Sequence, residues 1–301
     1  MKKRHTSTYT FGAGRRESHD SSRFYSRKLY GDMELPRPRP EDLVEDRPPA
    51  ELLDKVLLGD AREVLKKMPN SSVHLVVTSP PYNVGKEYDK DLTLGEYLEF
   101  LREVAEQLYR VLVWGGRVCI NVANLGRRPY IPLARYVGEI FEEVGFLMRG
   151  EIIWHKGGGV ASSSTAWGTW RSAVNPTLRD IHEYILVFSK GTFERRGGES
   201  TISPQEFVEF TKSVWTFPPE SAKKVGHPAP FPIELPYRCI QLYTFKKDVV
   251  LDPFAGSGTT CLAAAATGRH YVCIDIEEKY VKLAQERLHK TEKKITEWLS
   301  P

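Results

Sequence analysis

The sequence has little cysteine, no long apolar run and almost no net charge. Only four of its 301 residues are cysteines, none in Cys-x-x-Cys spacing, which argues against a zinc site or a disulfide-rich scaffold. We interpret them as small core residues in a reducing cytoplasm. No apolar stretch approaches the ~18 residues of a membrane span, and no apolar segment follows the basic start, as a secretory signal would require. These absences favour a cytoplasmic globular protein.

The small net charge of +4 is unevenly distributed. Residues 1–30 hold eight basic and two acidic side chains, a balance of +6, so the other 271 residues carry −2. Residues 1–50 lack hydrophobic periodicity and include the proline-rich stretch 36–40. We predict a flexible basic arm followed by a proline-rich linker. The arm is either a solvated tail or a nucleic-acid contact.

From residue 51 onward the pattern alternates between strand and helix, which predicts an α/β fold with a doubly wound, mainly parallel sheet. A loop over 156–181 and a polar stretch over 190–226 interrupt the alternation. The predicted strands are 55–58, 73–78, 117–122, 147–155, 183–188, 248–252 and 270–275. The predicted helices are 61–68, 93–111, 133–144, 261–267 and 277–288.

A glycine-rich turn follows the strand that ends at Asp252. The turn Phe254-Ala-Gly256-Ser-Gly258-Thr259 leads into a helix, so a ligand can approach bare backbone at a helix N-terminus. Asp275 ends the next strand, where an acidic group can bind both ribose hydroxyls. The turn is neither GxGxxG nor a phosphate loop, which disfavours NAD and ATP. A tight turn without a ligand is the alternative.

A second motif, Ser79-Pro80-Pro81-Tyr82, directly follows the predicted strand 73–78. The prolines remove two backbone donors and stiffen the chain. The Ser79 hydroxyl and the carbonyl groups of Ser79 and Pro80 then form a rigid set of acceptors beside an aromatic ring. This set suits a planar group that carries an NH2, such as a nucleobase. An extended surface turn is the alternative for this motif taken alone.

Together the two motifs resemble those of the DNA amino-methyltransferases, which transfer a methyl group from S-adenosylmethionine to N4 of cytosine or N6 of adenine. Ser79-Pro-Pro-Tyr82 is similar to the catalytic motif of that family, and Asp252-Pro-Phe-Ala-Gly-Ser-Gly258 to its cofactor-binding motif. The catalytic motif comes first, as in the circularly permuted β group. The resemblance covers approximately residues 51–290.

The resemblance implies a Rossmann-like methyltransferase domain that binds S-adenosylmethionine and needs no metal. It implies a catalytic half over 51–189, a small target-recognition insert over 190–226 and a cofactor-binding half over 227–301. Ser79, Pro80, Pro81 and Tyr82 are the implied catalytic residues. The implied cofactor-binding residues are Asp60, His227, Pro228, Asp252, Phe254, Gly256, Gly258, Thr259 and Asp275.

Serine at position 79 favours cytosine N4, because in that family serine is associated mainly with cytosine and aspartate mainly with adenine. Adenine N6 is the close alternative. The expected substrate is duplex DNA, with the target base flipped out and stacked on Tyr82. An inactive DNA-binding module, an RNA substrate and a protein substrate stay open. A homodimer and a cognate restriction endonuclease follow from the resemblance alone.

Contacts to DNA are expected from the two irregular segments. The candidates are basic side chains and two tryptophans, which could equally lie in the core: Arg171, Arg179, Arg195, Arg196, Lys212, Lys223, Lys224, Trp167 and Trp170.

Overall fold

The structure is a computed structural model that describes residues 7–10, 13–17, 26–30, 35–82, 92–126, 128–157, 167–221, 225–226 and 230–298. The chain divides into two compact units, residues 1–37 and 38–301. The smaller unit contains an antiparallel hairpin of β1 (Ser7–Thr10) and β2 (Ala13–Glu17). The predicted boundary at residue 50 is too late, because residues 38–50 belong to the larger unit. There Pro48 is buried, and the Asp46 amide donates to the Ser71 carbonyl.

An eight-stranded sheet in the order β10-β6-β9-β5-β4-β11-β12-β3 forms the centre of the larger unit. All neighbouring strands are parallel except those that flank β9, which confirms the predicted mainly parallel α/β sheet. Most of these strands coincide with predicted ones. Their bounds are β3 (Lys55–Leu58), β4 (Val73–Thr78), β5 (Leu112–Val122), β6 (Phe146–His155), β9 (His182–Lys190), β10 (Val214–Thr216), β11 (Val249–Asp252) and β12 (His270–Asp275).

Seven α-helices occur among the described residues. Their apolar stripes pack on the two faces of the sheet and form two core clusters. The predicted capping box is confirmed, since the Thr93 hydroxyl accepts from the Glu96 amide and the Glu96 carboxylate accepts from the Thr93 amide. None of the described helices combines the length and apolar composition that crossing a membrane requires. The helices are α1 (Ala61–Lys66), α2 (Leu94–Val111), α3 (Leu133–Val144), α4 (Pro204–Phe210), α5 (Glu234–Tyr243), α6 (Thr259–Ala266) and α7 (Glu278–Trp298).

Strand β5 begins at Leu112, five residues before its predicted start. The Gly115-Gly116 pair does not turn the chain but lies within the strand. A Cβ atom on Gly116 would lie 2.7 Å from Leu112 Cγ and 3.0 Å from the His74 carbonyl oxygen. Glycine is therefore needed here for close backbone approach, which its presence in a sequence does not distinguish from a turn.

Two of the four cysteines form a disulfide, so the prediction of four free thiols is wrong for Cys261 and Cys273. Cys261 on α6 and Cys273 on β12 belong to the same core cluster, with Cα atoms 6.5 Å apart. Cys119 and Cys239 are buried free thiols, as expected.

The polar segment 190–226 contributes to the central sheet. Its strand β10 pairs in parallel with β6, and the Trp215 ring is only 1 % exposed. Arg195 lies at the amino end of the sheet, where its guanidinium donates to the Asp248 carboxylate at 2.8 Å. Because that edge is opposite the carboxyl ends of β4 and β11, Arg195 is removed from the candidate DNA contacts.

Candidate functional site

Four adjacent parallel strands end at one cavity of about 450 Å³. Gly59 and Asp60 follow β3, Ser79–Tyr82 follow β4, Pro253–Ser257 follow β11, and Asp275 ends β12. Ligands bind in open α/β sheets at this carboxyl edge, next to the strand where the winding direction changes. The fold thus brings together two motifs that lie more than 170 residues apart in the chain. Residues from other segments that complete the lining are Leu92, Glu96, Tyr97, Glu99, Phe100, Glu103, Pro230, Phe231, Ile276 and Tyr280.

Asp252 lies behind the cavity and does not line it. Its buried carboxylate accepts hydrogen bonds from the Thr78 and Thr260 hydroxyls at 2.7 Å each and from the Phe254 amide at 3.1 Å. Burial raises the pKa of Asp252 to about 6. The residue therefore ties the end of β4 to the glycine-rich turn, so its contact with a ligand would be indirect.

The two glycines of the turn occupy different environments. Gly256 lines the cavity with a φ of +49°, and its amide donates to Asp275 at 2.8 Å. Gly258 has a φ of +75° and faces α7, where a Cβ atom would lie 2.6 Å from Ala284 Cβ. The next residue, Thr259, lines the cavity as the first residue of α6.

Asp275 holds the turn and faces the cavity at the same time. Its two carboxylate oxygens accept from the Gly256 amide at 2.8 Å and the Glu277 amide at 2.9 Å. Burial raises the pKa of this carboxyl group. Since a carboxylate has about four lone-pair sites, two remain for a ligand hydroxyl group.

Asp60 begins a wall that the sequence pattern indicated only in part. Its carboxylate caps α1 through the Arg62 amide at 2.9 Å and pairs with the Arg62 guanidinium at 2.7 Å. Arg62 also pairs with Glu103 at 2.8 Å and lies 5.3 Å from the centroid of the Phe100 ring. The Phe100 ring in turn lies 5.8 Å from the Phe254 ring. These half-buried rings form an apolar surface for a flat ligand group.

Phe100 and Arg62 were missed by sequence reasoning. Phe100 precedes the buried Val104 by one helical turn, so it lies at the border of the apolar face of α2. That spacing is the only signal it gave.

Four residues selected from the sequence lie outside the described residues. Two are expected cofactor contacts, although the nearby Pro230 and Phe231 line the cavity. The other two are expected DNA contacts. The four are His227, Pro228, Lys223 and Lys224.

The Tyr82 hydroxyl is held by three neighbours. It lies 3.1 Å from Ser79 Oγ, donates to the Asn121 carbonyl at 3.3 Å and accepts from the Ala123 amide at 3.2 Å. Burial, with a smaller contribution from Glu183, raises the pKa of Tyr82 well above its usual range. Tyr82 is thus a fixed, protonated group whose ring lines the cavity.

A further polar chain continues from Asn121. Its side-chain amide donates to the Glu183 carboxylate at 2.6 Å, and Lys156 pairs with the same carboxylate at 2.6 Å. Because β6 runs parallel to β5 and β4, Lys156 at the end of β6 lies at the same sheet edge as Ser79. Sequence reasoning did not select any of these three residues.

The charge around the cavity is strongly negative. The described lining contains five carboxylates and one guanidinium, that of Arg62. Such a lining attracts a cationic ligand and disfavours a polyphosphate. The carboxylates are Asp60, Glu96, Glu99, Glu103 and Asp275.

Fold and cavity together define a Rossmann-like methyltransferase. The sequence profile of the N6/N4 methyltransferases, described as DNA methylases, matches residues 73–286. The chain therefore belongs to the N6/N4 family of DNA methylases.

Individual relatives agree with this assignment. The Type II methyltransferase M.ScaI of Streptomyces caespitosus is 32 % identical over 76 % of this chain and 79 % of its own. The DNA adenine methyltransferase YhdJ of Escherichia coli K12 is 29 % identical over 77 % of this chain and 82 % of its own.

Among solved structures, TTHA0409 of Thermus thermophilus, described as a DNA modification methylase, is 34 % identical with a TM-score of 0.65. The alignment covers 78 % of this chain and 94 % of TTHA0409. A structure of TTHA0409 in complex with S-adenosyl-L-methionine aligns with a TM-score of 0.62.

Proposed function

We propose that this protein methylates the exocyclic N4 of cytosine in specific sites of duplex DNA, with S-adenosylmethionine as the methyl donor. The observation that carries the proposal is the single cavity that joins Ser79–Tyr82 to Asp60, Gly256 and Asp275. One side of this cavity offers acceptors for an amine, and the other offers a nucleoside site. Membership of the DNA methylase family supports the same function.

The described lining fits S-adenosylmethionine. This cofactor carries a sulfonium and an ammonium group against one carboxylate, and five acidic side chains surround the cavity. Asp275 would hold the ribose hydroxyls, Asp60 and the Phe100–Phe254 surface the adenine, and the Gly256 turn the methionine part. When bound, the cofactor supplies an electrophilic methyl group, and transfer to the amine releases one proton.

The chain contributes orientation. Ser79 Oγ and the Pro80 carbonyl would accept the two amine hydrogens, which draws the nitrogen towards tetrahedral geometry and localises its lone pair. Positioning the nitrogen for in-line attack is the main catalytic contribution. The Tyr82 ring would stack on the flipped base, since its face lines the cavity.

Cytosine N4 rests on the serine at position 79, which in this family is associated mainly with cytosine. Adenine N6 is the second candidate, because YhdJ, an adenine methyltransferase, is among the relatives of this chain.

The proposal includes contacts with DNA at the carboxyl edge. The short hairpin of β7 (Trp167–Gly168) and β8 (Pro176–Thr177) lies between β6 and β9 in the chain, and the Trp170 ring at its tip is 69 % exposed. With Arg171 beside it, this tip would contact the duplex near the flipped base. A cytoplasmic location, a homodimer and a partner restriction endonuclease remain predictions.

The experiment is methyl transfer from labelled S-adenosylmethionine to genomic DNA, followed by mass spectrometry of the nucleosides. We expect N4-methylcytosine. N6-methyladenine would support the second candidate, and unmodified DNA would refute both. Transfer to RNA or protein instead would assign another substrate class.

A further inference from the structure

The three neighbours of the Tyr82 hydroxyl determine which way its hydrogen bonds run. A phenol has one proton to donate and two lone pairs to accept. The Asn121 carbonyl at 3.3 Å can only accept, and the Ala123 amide at 3.2 Å can only donate. The third contact, to Ser79 Oγ at 3.1 Å, is then satisfied only if the serine donates.

This direction leaves Ser79 with acceptors alone on its cavity side. The serine proton is used by Tyr82, and both lone pairs of Oγ remain. In the reverse arrangement Tyr82 would donate to Ser79, the Asn121 carbonyl would lose this donor, and the serine proton could turn towards the cavity. A proton there would face the amine hydrogens of the target base. It would also favour a keto oxygen over an amine.

We propose that Tyr82 is a positioning residue whose hydroxyl fixes Ser79 as a hydrogen-bond acceptor, so that the site selects an amino group over a keto group. The proposal deepens the proposed function and rests on it. It assigns the hydroxyl a role separate from stacking, which uses only the ring face.

The surroundings make the Tyr82 hydroxyl a stable reference point. Its acceptor is a backbone carbonyl of β5, which pairs with β4 on one side and β9 on the other. The Asn121 side chain is anchored to Glu183 at 2.6 Å. The raised pKa of Tyr82 keeps its proton in place through the neutral pH range.

The test compares four proteins: wild type, Tyr82→Phe, Ser79→Asp and the double variant. Phenylalanine keeps the ring and removes the hydroxyl. We expect Tyr82→Phe to lower kcat about tenfold, the value of one misdirected hydrogen bond, while KM for DNA and Kd for S-adenosylmethionine change less than about twofold. An aspartate at position 79 accepts without needing its proton directed. In the Ser79→Asp background, the same Tyr82→Phe change should therefore alter kcat less than about twofold.

A second measurement does not depend on the activity of Ser79→Asp. Wild type and Tyr82→Phe are titrated with a duplex that carries the target cytosine and with one that carries uracil, its keto counterpart; for an adenine target the counterpart is hypoxanthine. Wild type should prefer the amino base, and Tyr82→Phe should reduce that preference about fivefold.

The proposal is overturned if Tyr82→Phe retains the wild-type kcat and base preference, or if it lowers kcat equally in the Ser79→Asp background. A purely structural role would instead lower Tm and cofactor affinity in both backgrounds. If wild type methylates no DNA at all, the proposed function fails first, which the control reaction reveals.

Discussion

The two edges of the central sheet both hold buried charge, but only one is built around a cavity. At the amino edge, Arg195 pairs with Asp248, and Lys190 donates to the Leu112 carbonyl at 2.7 Å. At the carboxyl edge, Ser79 and Asp275 direct acceptor atoms towards open space. The comparison shows that buried ionisable groups alone do not identify a functional site. Acceptors that face a cavity are the more specific sign.

The amino edge should determine stability and leave catalysis alone. Arg195→Ala leaves Asp248 as a buried carboxylate without its main partner, so we expect a loss of about 3–5 kcal/mol in the free energy of unfolding. The kcat of the folded fraction should not change. Chemical denaturation and single-turnover assays measure the two quantities.

The neighbouring residue supplies a matched control. Arg196 is exposed and pairs with the exposed Glu194, so Arg196→Ala should leave the unfolding midpoint unchanged. If Arg195→Ala slows methyl transfer in the folded protein, the separation of the two edges is wrong.

The carboxyl edge should show the opposite behaviour. Ser79→Ala removes an acceptor that orients the amine, and we expect a fall in kcat of about 10²–10³-fold, by analogy with the loss of one preorganised hydrogen bond. Tyr82→Ala should be equally severe. Cofactor affinity, measured calorimetrically, should stay within about twofold of wild type.

Ser189 is the matched serine of the amino edge, where it accepts from Arg117 at 2.7 Å. Ser189→Ala should lower stability without lowering kcat. Equal activity losses in Ser79→Ala and Ser189→Ala would contradict the assignment.

Asp252 should make stability depend on pH. Its folded-state pKa of about 6 lies above the ordinary value of about 3.9. Between these values the folded state binds more protons than the unfolded state, so stability falls as pH rises. Two pKa units correspond to about 3 kcal/mol at neutral pH.

Asp252→Asn retains the shape of the side chain and does not titrate. The difference in unfolding free energy between wild type and this variant should therefore shift against wild type from pH 4 to pH 7. Parallel pH profiles for the two proteins would show that the burial of Asp252 has no such cost.

Two glycines separate backbone strain from steric contact. Gly258 and Gly197 both have positive φ, but a Cβ atom on Gly197 meets nothing within 4 Å, whereas one on Gly258 would lie 2.6 Å from Ala284. Both alanine variants incur the left-handed backbone cost. Gly258→Ala should be less stable than Gly197→Ala by about 1–3 kcal/mol, because it also overpacks α7. Thermal unfolding of both variants measures the difference, and equal Tm values would contradict it.

The smallest expected effect concerns the basic arm. Deleting residues 1–30 removes a balance of +6, and the slope of log K against log salt falls by about 0.9 for each phosphate that the arm no longer neutralises. We expect weaker DNA binding with a flatter salt dependence and unchanged cofactor affinity. A variant with Lys2, Lys3 and Arg4 replaced by glutamine keeps the length as a control. If deletion leaves the slope unchanged, the arm is a solvated tail.

The sequence predicted well where periodicity and turn chemistry act locally. The strands at Lys55, Val73 and His270 and the helix capped by Thr93 occur as expected. The cavity also includes both motifs, since parallel strands place their carboxyl ends at one edge.

What the sequence did not reveal depends on distant packing. The contribution of Phe100 and Arg62 to the cavity requires α2 to cross over α1. The burial of Arg195 depends on Asp248, 53 residues away, and the disulfide depends on α6 packing against β12. The direction of the Ser79 hydrogen bond needs the position of the Asn121 carbonyl, which no motif contains.

The most direct test of the account is nucleoside mass spectrometry of DNA methylated by wild type and by Ser79→Ala at equal cofactor saturation. The account predicts N4-methylcytosine from wild type and a loss of about 10²–10³-fold in the variant. Undiminished methylation by Ser79→Ala would contradict the claim that the cavity at the carboxyl edge presents the acceptors for the target amine.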